Sequence, residues 1–234
     1  MKFTLLRRLS LLLGLLAILG ILAVACGEET QPAQSPAATI TPSATTTPTA
    51  SPTAQPVNAT FAASRFLGNP GAPVKIVEYS DFQCSHCKRV QEKVARLVQD
   101  YVAPGKASLE FRNFALSEGS VLAAEASLCA EEQSNYGAYH DALYRTQGSA
   151  AFNAATFQEL AKEVGLDTAA FNDCLSTHRY RQEVLDERQE GLQAGVTGTP
   201  SFLVNETLII GNVPYQDFVN AIEAELQRAS GGGS

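Results

Sequence analysis

Around Cys84 the hydrophobic pattern of the chain changes from a strand period to a helical one. Val74-Lys75-Ile76-Val77-Glu78-Tyr79 is β-rich and follows the turn-like run Gly68-Asn69-Pro70-Gly71-Ala72-Pro73. Beyond Cys84, the residues Val90, Val94, Leu97, Val98 and Tyr101 fall on one helical stripe. At the handover stands Cys84-Ser85-His86-Cys87. A cysteine at a helix N-terminus faces the positive end of the helix dipole and free backbone N–H groups, which favour thiolate over thiol. Cys84 is therefore expected to have a depressed pKa and to be the attacking sulfur. Two intervening residues let Cys87 reach it one helical turn later and close a small, reducible ring. His86, when protonated, adds to the stabilisation of the thiolate.

Three other readings of this motif are open at this point. A purely structural disulfide gains little here, because so short a loop barely constrains the unfolded chain. Half of a zinc site lacks the second Cys-x-x-Cys that would complete it. A passive binding module gives the two cysteines no purpose. Glu78, six residues before Cys84, is either an ordinary edge-strand glutamate or a carboxylate buried beneath the helix start. In the second case it can shuttle the proton that Cys87 loses when it attacks a mixed disulfide.

The rest of the domain, about 61–229, reads as α/β. A second strand is expected over Ala107–Phe114, then helix throughout Ser120 to about Ala194, with Phe157, Leu160, Ala161 and Val164 on one stripe. Strand character returns at Ser201–Val204 and Leu208–Ile210 around a turn at Asn205-Glu206, and a last helix from near Tyr215 buries Phe218, Ile222 and Leu226. The order βαβ, helical block, ββα implies a parallel strand pair joined by a crossover and a closing hairpin on the same sheet. Gly198-Thr199-Pro200 precedes the third strand, where a proline is a strand opener or a cis turn.

The segments before this domain are of another kind. Leu11–Ala25 is a 15-residue apolar run interrupted only by Gly14 and Gly20, preceded by Lys2, Arg7 and Arg8. A spanning helix needs about 20 apolar residues, so residues 1–25 suit a signal peptide, with an uncleaved N-terminal anchor as the alternative. Ala23-Val24-Ala25-Cys26-Gly27 resembles a bacterial lipoprotein signal, in which the cysteine carries the lipid, although Ala23 stands where leucine is usual. Residues 26–60 hold six of the eleven prolines among Thr, Ala and Ser, a composition that cannot bury enough apolar surface to offset backbone ordering. They are read as a disordered stalk, and 230–234 as a flexible Gly/Ser tail. The domain is expected outside the cytoplasm, tethered to the bacterial membrane. Beyond position 25 the chain has 14 basic and 24 acidic residues, which argues against nucleic acid as a partner.

The run Gly68 to Val74, Glu78, Ser80-Asp81-Phe82 and Cys84-Ser85-His86-Cys87, with Gly198-Thr199-Pro200-Ser201-Phe202 and Gly211 far downstream, resembles the DsbA-type thiol–disulfide oxidoreductases. The resemblance implies a thioredoxin fold with a helical insertion, about 116–195, between the βαβ and ββα halves. It implies that Pro200 is cis and faces the Cys84/Cys87 pair, and that the Thr199 backbone pairs with an extended substrate chain. It also implies no cofactor, exported protein substrates with free thiols or disulfides, and a membrane partner that reoxidises the enzyme.

Ser85 is a departure, because proline is common there and this dipeptide helps set the redox potential. Potentials span about −120 mV for DsbA to −270 mV for thioredoxin, so reductase or isomerase activity stays an alternative to oxidase. A metallochaperone using Cys84, Cys87 and His86 is the alternative of another class, although no metal site is expected.

Cys129 and Cys174 are 45 positions apart inside the helical block. In an oxidising compartment such an even pair reads as a structural disulfide contributing roughly 3–5 kcal/mol, with a second redox pair left open by spacing alone. His140 and His178 read as surface or interhelical hydrogen-bonding residues, and Asp186-Glu187-Arg188-Gln189-Glu190 as a solvated helix face.

Overall fold

A computed structural model describes residues 63–231. The signal segment, Cys26, all of the stalk, residues 61–62 and residues 232–234 lie outside the described residues. A five-stranded sheet is formed by β1 (Phe66–Leu67), β2 (Val74–Ser80), β3 (Ala107–Asn113), β4 (Ser201–Val204) and β5 (Thr207–Ile210), in the spatial order β1-β3-β2-β4-β5. β2 and β3 run parallel; the other pairs are antiparallel. The two-residue β1 has no counterpart in the sequence reading, because a strand that short carries no period.

Helix α1 (Ser85–Leu97), closed by a wide π-type turn over Val98–Val102, connects β2 to β3. Its buried stripe is Cys87, Val90, Val94 and Leu97. Val90, Val94 and Leu97 pack in one core with Val74 and Ile76 of β2, Phe202 and Val204 of β4, and Phe218 and Ile222 of α7 (Tyr215–Gly231). Ser230 and Gly231, expected in the flexible tail, continue α7 instead, and Ser230 Oγ donates to the carbonyl of Gln227. Leu226 is only half-buried, whereas Glu225 is buried and is held by Asn205 Nδ2 at 3.0 Å and by Arg228.

The block expected as continuous helix is five helices: α2 (Glu118–Glu132), α3 (Tyr136–Thr146), α4 (Ala154–Glu163), α5 (Thr168–Ser176) and α6 (Arg181–Gln193). Ser117, Asn153 and Asp167 accept hydrogen bonds from first-turn N–H groups and so start α2, α4 and α5. Gly165, at φ 78°, ends α4. The insertion has its own core, including Tyr139, Leu143, Phe157 and Phe171, which extends to Phe82 and Cys87. Cys129 of α2 and Cys174 of α5 are joined by a disulfide within it.

Helix α6 closes on the other face of β2, where Tyr79 packs with Phe114 and Val196. Gly191 permits this approach: a Cβ there would lie 2.8 Å from the Phe114 ring and 3.0 Å from the Tyr79 ring. The same helix corrects the sequence reading of a solvated 186–190 face at one position, Glu187, while Asp186, Gln189 and Glu190 are exposed. Glu187 is buried, and its Oε2 accepts from the Asn113 backbone N–H and side-chain amide, both at 2.8 Å. Its Oε1 accepts from Arg65 at 2.5 Å, and the same guanidinium bonds Glu183 at 2.6 Å and Glu131 at 3.3 Å. The partner that makes Glu187 an interior residue is 122 positions away, beyond the reach of any local pattern.

Removing one side of such a buried network leaves uncompensated charge. Arg65→Leu is expected to lower the free energy of unfolding by about 3–5 kcal/mol. Urea titration at neutral pH checks this; a loss below about 1 kcal/mol, the value of an exposed pair, contradicts the buried-network account.

Candidate redox site

β2 ends at Ser80, and the chain turns through Asp81-Phe82-Gln83 into α1. Cys84 is the helix N-cap, with extended backbone (φ −78°, ψ 118°) and no side chain filling the cap. The sulfur thus stands where the first-turn N–H groups of α1 lack helical partners. Cys84 is half-buried, Ser85 and His86 are exposed, and Cys87 is fully buried one turn in. The two thiols are free. Cys84 Sγ lies 3.4 Å from the carbonyl oxygen of Thr199, and the Thr199–Pro200 peptide bond is cis. The structure therefore brings Cys84, Cys87, Thr199 and Pro200 together.

The loop is clamped by residues that sequence reasoning assigned no role. Asp81 is buried; its carboxylate accepts from the Gln83 N–H (2.7 Å), the Leu116 N–H (2.9 Å) and Ser120 Oγ (2.8 Å). Gln147, just past α3, donates through Nε2 to the carbonyls of Phe82 (2.7 Å) and Cys84 (3.0 Å). No periodicity marks these residues, since their partners lie on elements far along the chain. Only Asp81, an acid next to Phe82 between the strand and the helix, offers a signal.

Glu78 sits on the central strand β2, opposite Phe111 of β3 and Phe202 of β4, so it is no edge residue. It is fully buried, and Oε1 accepts from Ser80 Oγ at 2.9 Å and Gln91 Nε2 at 3.1 Å. Oε2 has no hydrogen-bond partner among the described residues, and neither has the buried hydroxyl of Thr199. Burial raises the Glu78 pKa to about 7, against the smaller opposing effect of the Ser80 and Gln91 bonds. Burial likewise pushes the Cys87 thiol up to about 12, while the Ser80 and Thr199 hydroxyls facing its sulfur favour the thiolate. The Glu78 charge adds a smaller opposition to ionisation of the Cys87 thiol.

His140 is buried against Phe82, Phe111, Tyr136 and Tyr144, rather than at a surface. His178, exposed in the turn between α5 and α6, has Nδ1 2.9 Å from Glu125 Oε2 of α2, a surface hydrogen-bonding residue of the kind expected. Among the described residues no three His, Cys, Asp or Glu side chains are grouped to hold a metal ion.

The comparisons agree with this geometry. A family model described as Thioredoxin matches residues 60–224. The chain belongs to the thioredoxin family. Its likeness is to the DsbA type, and it is a thiol–disulfide oxidoreductase. It is 28% identical over 177 residues to a probable disulfide bond formation protein D of Bacillus anthracis, covering 72% of this chain and 81% of that one. The oxidised form of BdbD from Bacillus subtilis superposes with a TM-score of 0.64 at 23% identity, over 70% of this chain and 94% of that one. A thioredoxin-like oxidoreductase from Silicibacter pomeroyi DSS-3 gives 0.61 at 31% identity, over 72% and 94%.

Burial of Glu78 has a measurable consequence for stability. Below about pH 4 the carboxyl is protonated folded and unfolded. Between there and pH 7 the unfolded chain binds fewer protons, so stability falls as pH rises through this window and is level above it. In the reduced protein, Glu78→Gln is expected to remove this fall and to exceed the parent at pH 8 by up to about 3 kcal/mol. Denaturant titrations at pH 4.5, 6 and 8 check it; parallel pH dependences for the two proteins contradict it.

Proposed function

We propose that this oxidoreductase is an extracytoplasmic disulfide oxidase that introduces disulfides into exported proteins. The observation that carries it is the contrast between a half-buried Cys84 at an uncapped helix N-terminus and a fully buried Cys87. A substrate thiolate attacks Cys84 Sγ of the Cys84–Cys87 disulfide; the intramolecular S–S bond breaks and Cys87 leaves as thiolate. Glu78 gives Cys87 its proton. A second substrate thiolate then attacks the substrate sulfur of the mixed disulfide and releases Cys84 as thiolate. Two electrons have passed from the substrate dithiol to the enzyme. The α1 N-terminus holds the Cys84 charge, which makes reduction of the enzyme favourable.

Thr199 and Pro200 line this approach. The Thr199 carbonyl already touches Cys84, and its backbone is suited to pair with an extended substrate segment. Ser85 and His86, exposed on the first turn, adjust the potential, His86 by its charge when protonated. Cys129 and Cys174 serve structure. Cys26 carries the lipid that tethers the chain to the bacterial membrane, where a membrane redox partner accepts the electrons. Among the described residues no helix is long and apolar enough to cross a membrane.

Oxidised full chain mixed with a reduced, unfolded two-cysteine protein is expected to consume two substrate thiols per enzyme. Cys84→Ser is expected to consume none, and Cys87→Ser to trap a mixed disulfide with an activated substrate. Thiol titration and mass spectrometry read both. Retained oxidation by Cys84→Ser would falsify the mechanism.

A further inference from the structure

Ser80, which the steps above do not use, lies between the two groups that exchange a proton. It closes β2 two residues beyond Glu78, on the same face of the strand. Its Oγ is 2.9 Å from Glu78 Oε1 and 2.8 Å from the Tyr144 hydroxyl, and it faces the Cys87 sulfur. We propose that Ser80 is the hydroxyl relay through which Cys87 and Glu78 exchange their proton, with Tyr144 fixing its orientation. The proposal rests on the reading of Glu78 as the proton reservoir of Cys87.

The proton inventory closes at this atom. A serine hydroxyl offers one proton and two lone pairs. Ser80 donates to Glu78 Oε1 and accepts from the Tyr144 O–H on one lone pair, leaving the other for the Cys87 thiol that it faces. When Cys87 ionises, its S–H bond breaks and the proton passes to Ser80 Oγ. The proton already on Ser80 passes to Glu78 Oε1. One negative charge moves from carboxylate to sulfur, and no proton enters from water. The reverse shift protonates Cys87 when it leaves as thiolate. Glu78 Oε2 has no partner among the described residues, so Oε1 is the oxygen connected to this path. Gln91 Nε2 holds Oε1 in place while also donating to the Cys87 carbonyl.

The surroundings leave few competing groups. On α3 the Glu78 charge opposes ionisation of the Tyr144 and Tyr136 phenols, and the His140 ring packs 4.9 Å from that of Tyr144. Burial holds Tyr144 well above its ordinary pKa, so it stays a donor. β3 and β4 set Phe111 and Phe202 beside Glu78, neither of which titrates. Thr199 supplies a second hydroxyl toward Cys87 but has no bond to Glu78.

The test follows the reduced full chain reacting with an aromatic disulfide, 5,5′-dithiobis(2-nitrobenzoate), in stopped flow. All proteins carry Cys26→Ser, so that Cys84 and Cys87 are the reacting thiols. The first release of thionitrobenzoate reports Cys84; the second reports attack of Cys87 on the mixed disulfide, and Cys87→Ser identifies it by its loss. Ser80→Ala is expected to slow the second phase about tenfold or more between pH 6 and 8, leaving the first within about twofold. It is also expected to lose the inflection of the second phase near pH 7, where Glu78 ionises. Ser80→Thr, which keeps the hydroxyl, is expected to restore both. A wild-type second phase in Ser80→Ala overturns the relay, as does Ser80→Thr as slow as Ser80→Ala, or equal slowing of both phases. Glu78→Gln separates the two claims. An unchanged second phase there overturns the Glu78 reading itself, whereas slowing by Glu78→Gln without slowing by Ser80→Ala overturns the relay alone.

Discussion

A helix that begins at Cys84 gives its two cysteines opposite environments. The first, at the cap, meets unpaired backbone N–H groups and solvent; the second, one turn in, falls on the buried stripe with Val90, Val94 and Leu97. Dipole and hydrogen-bond donors favour charge on the outer sulfur, while desolvation disfavours charge on the inner one. In the proposed mechanism that asymmetry makes Cys84 the site of exchange and leaves Cys87 in need of a proton partner. β2, which leads into the helix, carries the carboxylate on the face toward it.

Holding the asymmetry is the task of the insertion. The loop 81–84 has few apolar contacts of its own beyond Phe82, and its backbone groups are satisfied from α2 through Asp81 and from α3 through Gln147. Cys87 and Phe82 belong to the core of the insertion rather than to that of the sheet. The insertion therefore sets the position of Cys84 relative to the Thr199–Pro200 turn, and its own rigidity is reinforced by the Cys129–Cys174 disulfide and the Arg65 network. Site and scaffold are coupled through short hydrogen bonds, which change with small displacements.

The residues that follow a local rule were legible in the sequence. The strand-to-helix switch located α1 and its two cysteines, and the β-rich run Val74–Tyr79 gave Glu78 its strand. Gly198-Thr199-Pro200 stood out because proline is awkward before a strand. What was not legible depends on partners distant in sequence. Glu187 looked like one acid among several until Arg65, 122 positions away, made it interior. Ser80, Gln91, Gln147 and Tyr144 are common residue types whose role comes from where the topology puts them. The breaks within the helical block were written in Asn153, Gly165 and Asp167, but apolar periodicity alone runs through them.

The oxidase assignment stands on the stability of the reduced site, so the Cys84/Cys87 reduction potential tests it most directly. Equilibration of the full chain with glutathione redox buffers, read by alkylation and mass, gives that value. A potential above about −150 mV is predicted, close to the oxidising end of the thioredoxin-fold range. A potential near about −270 mV contradicts the account, because the dithiol form then gives electrons to its substrates instead of taking them.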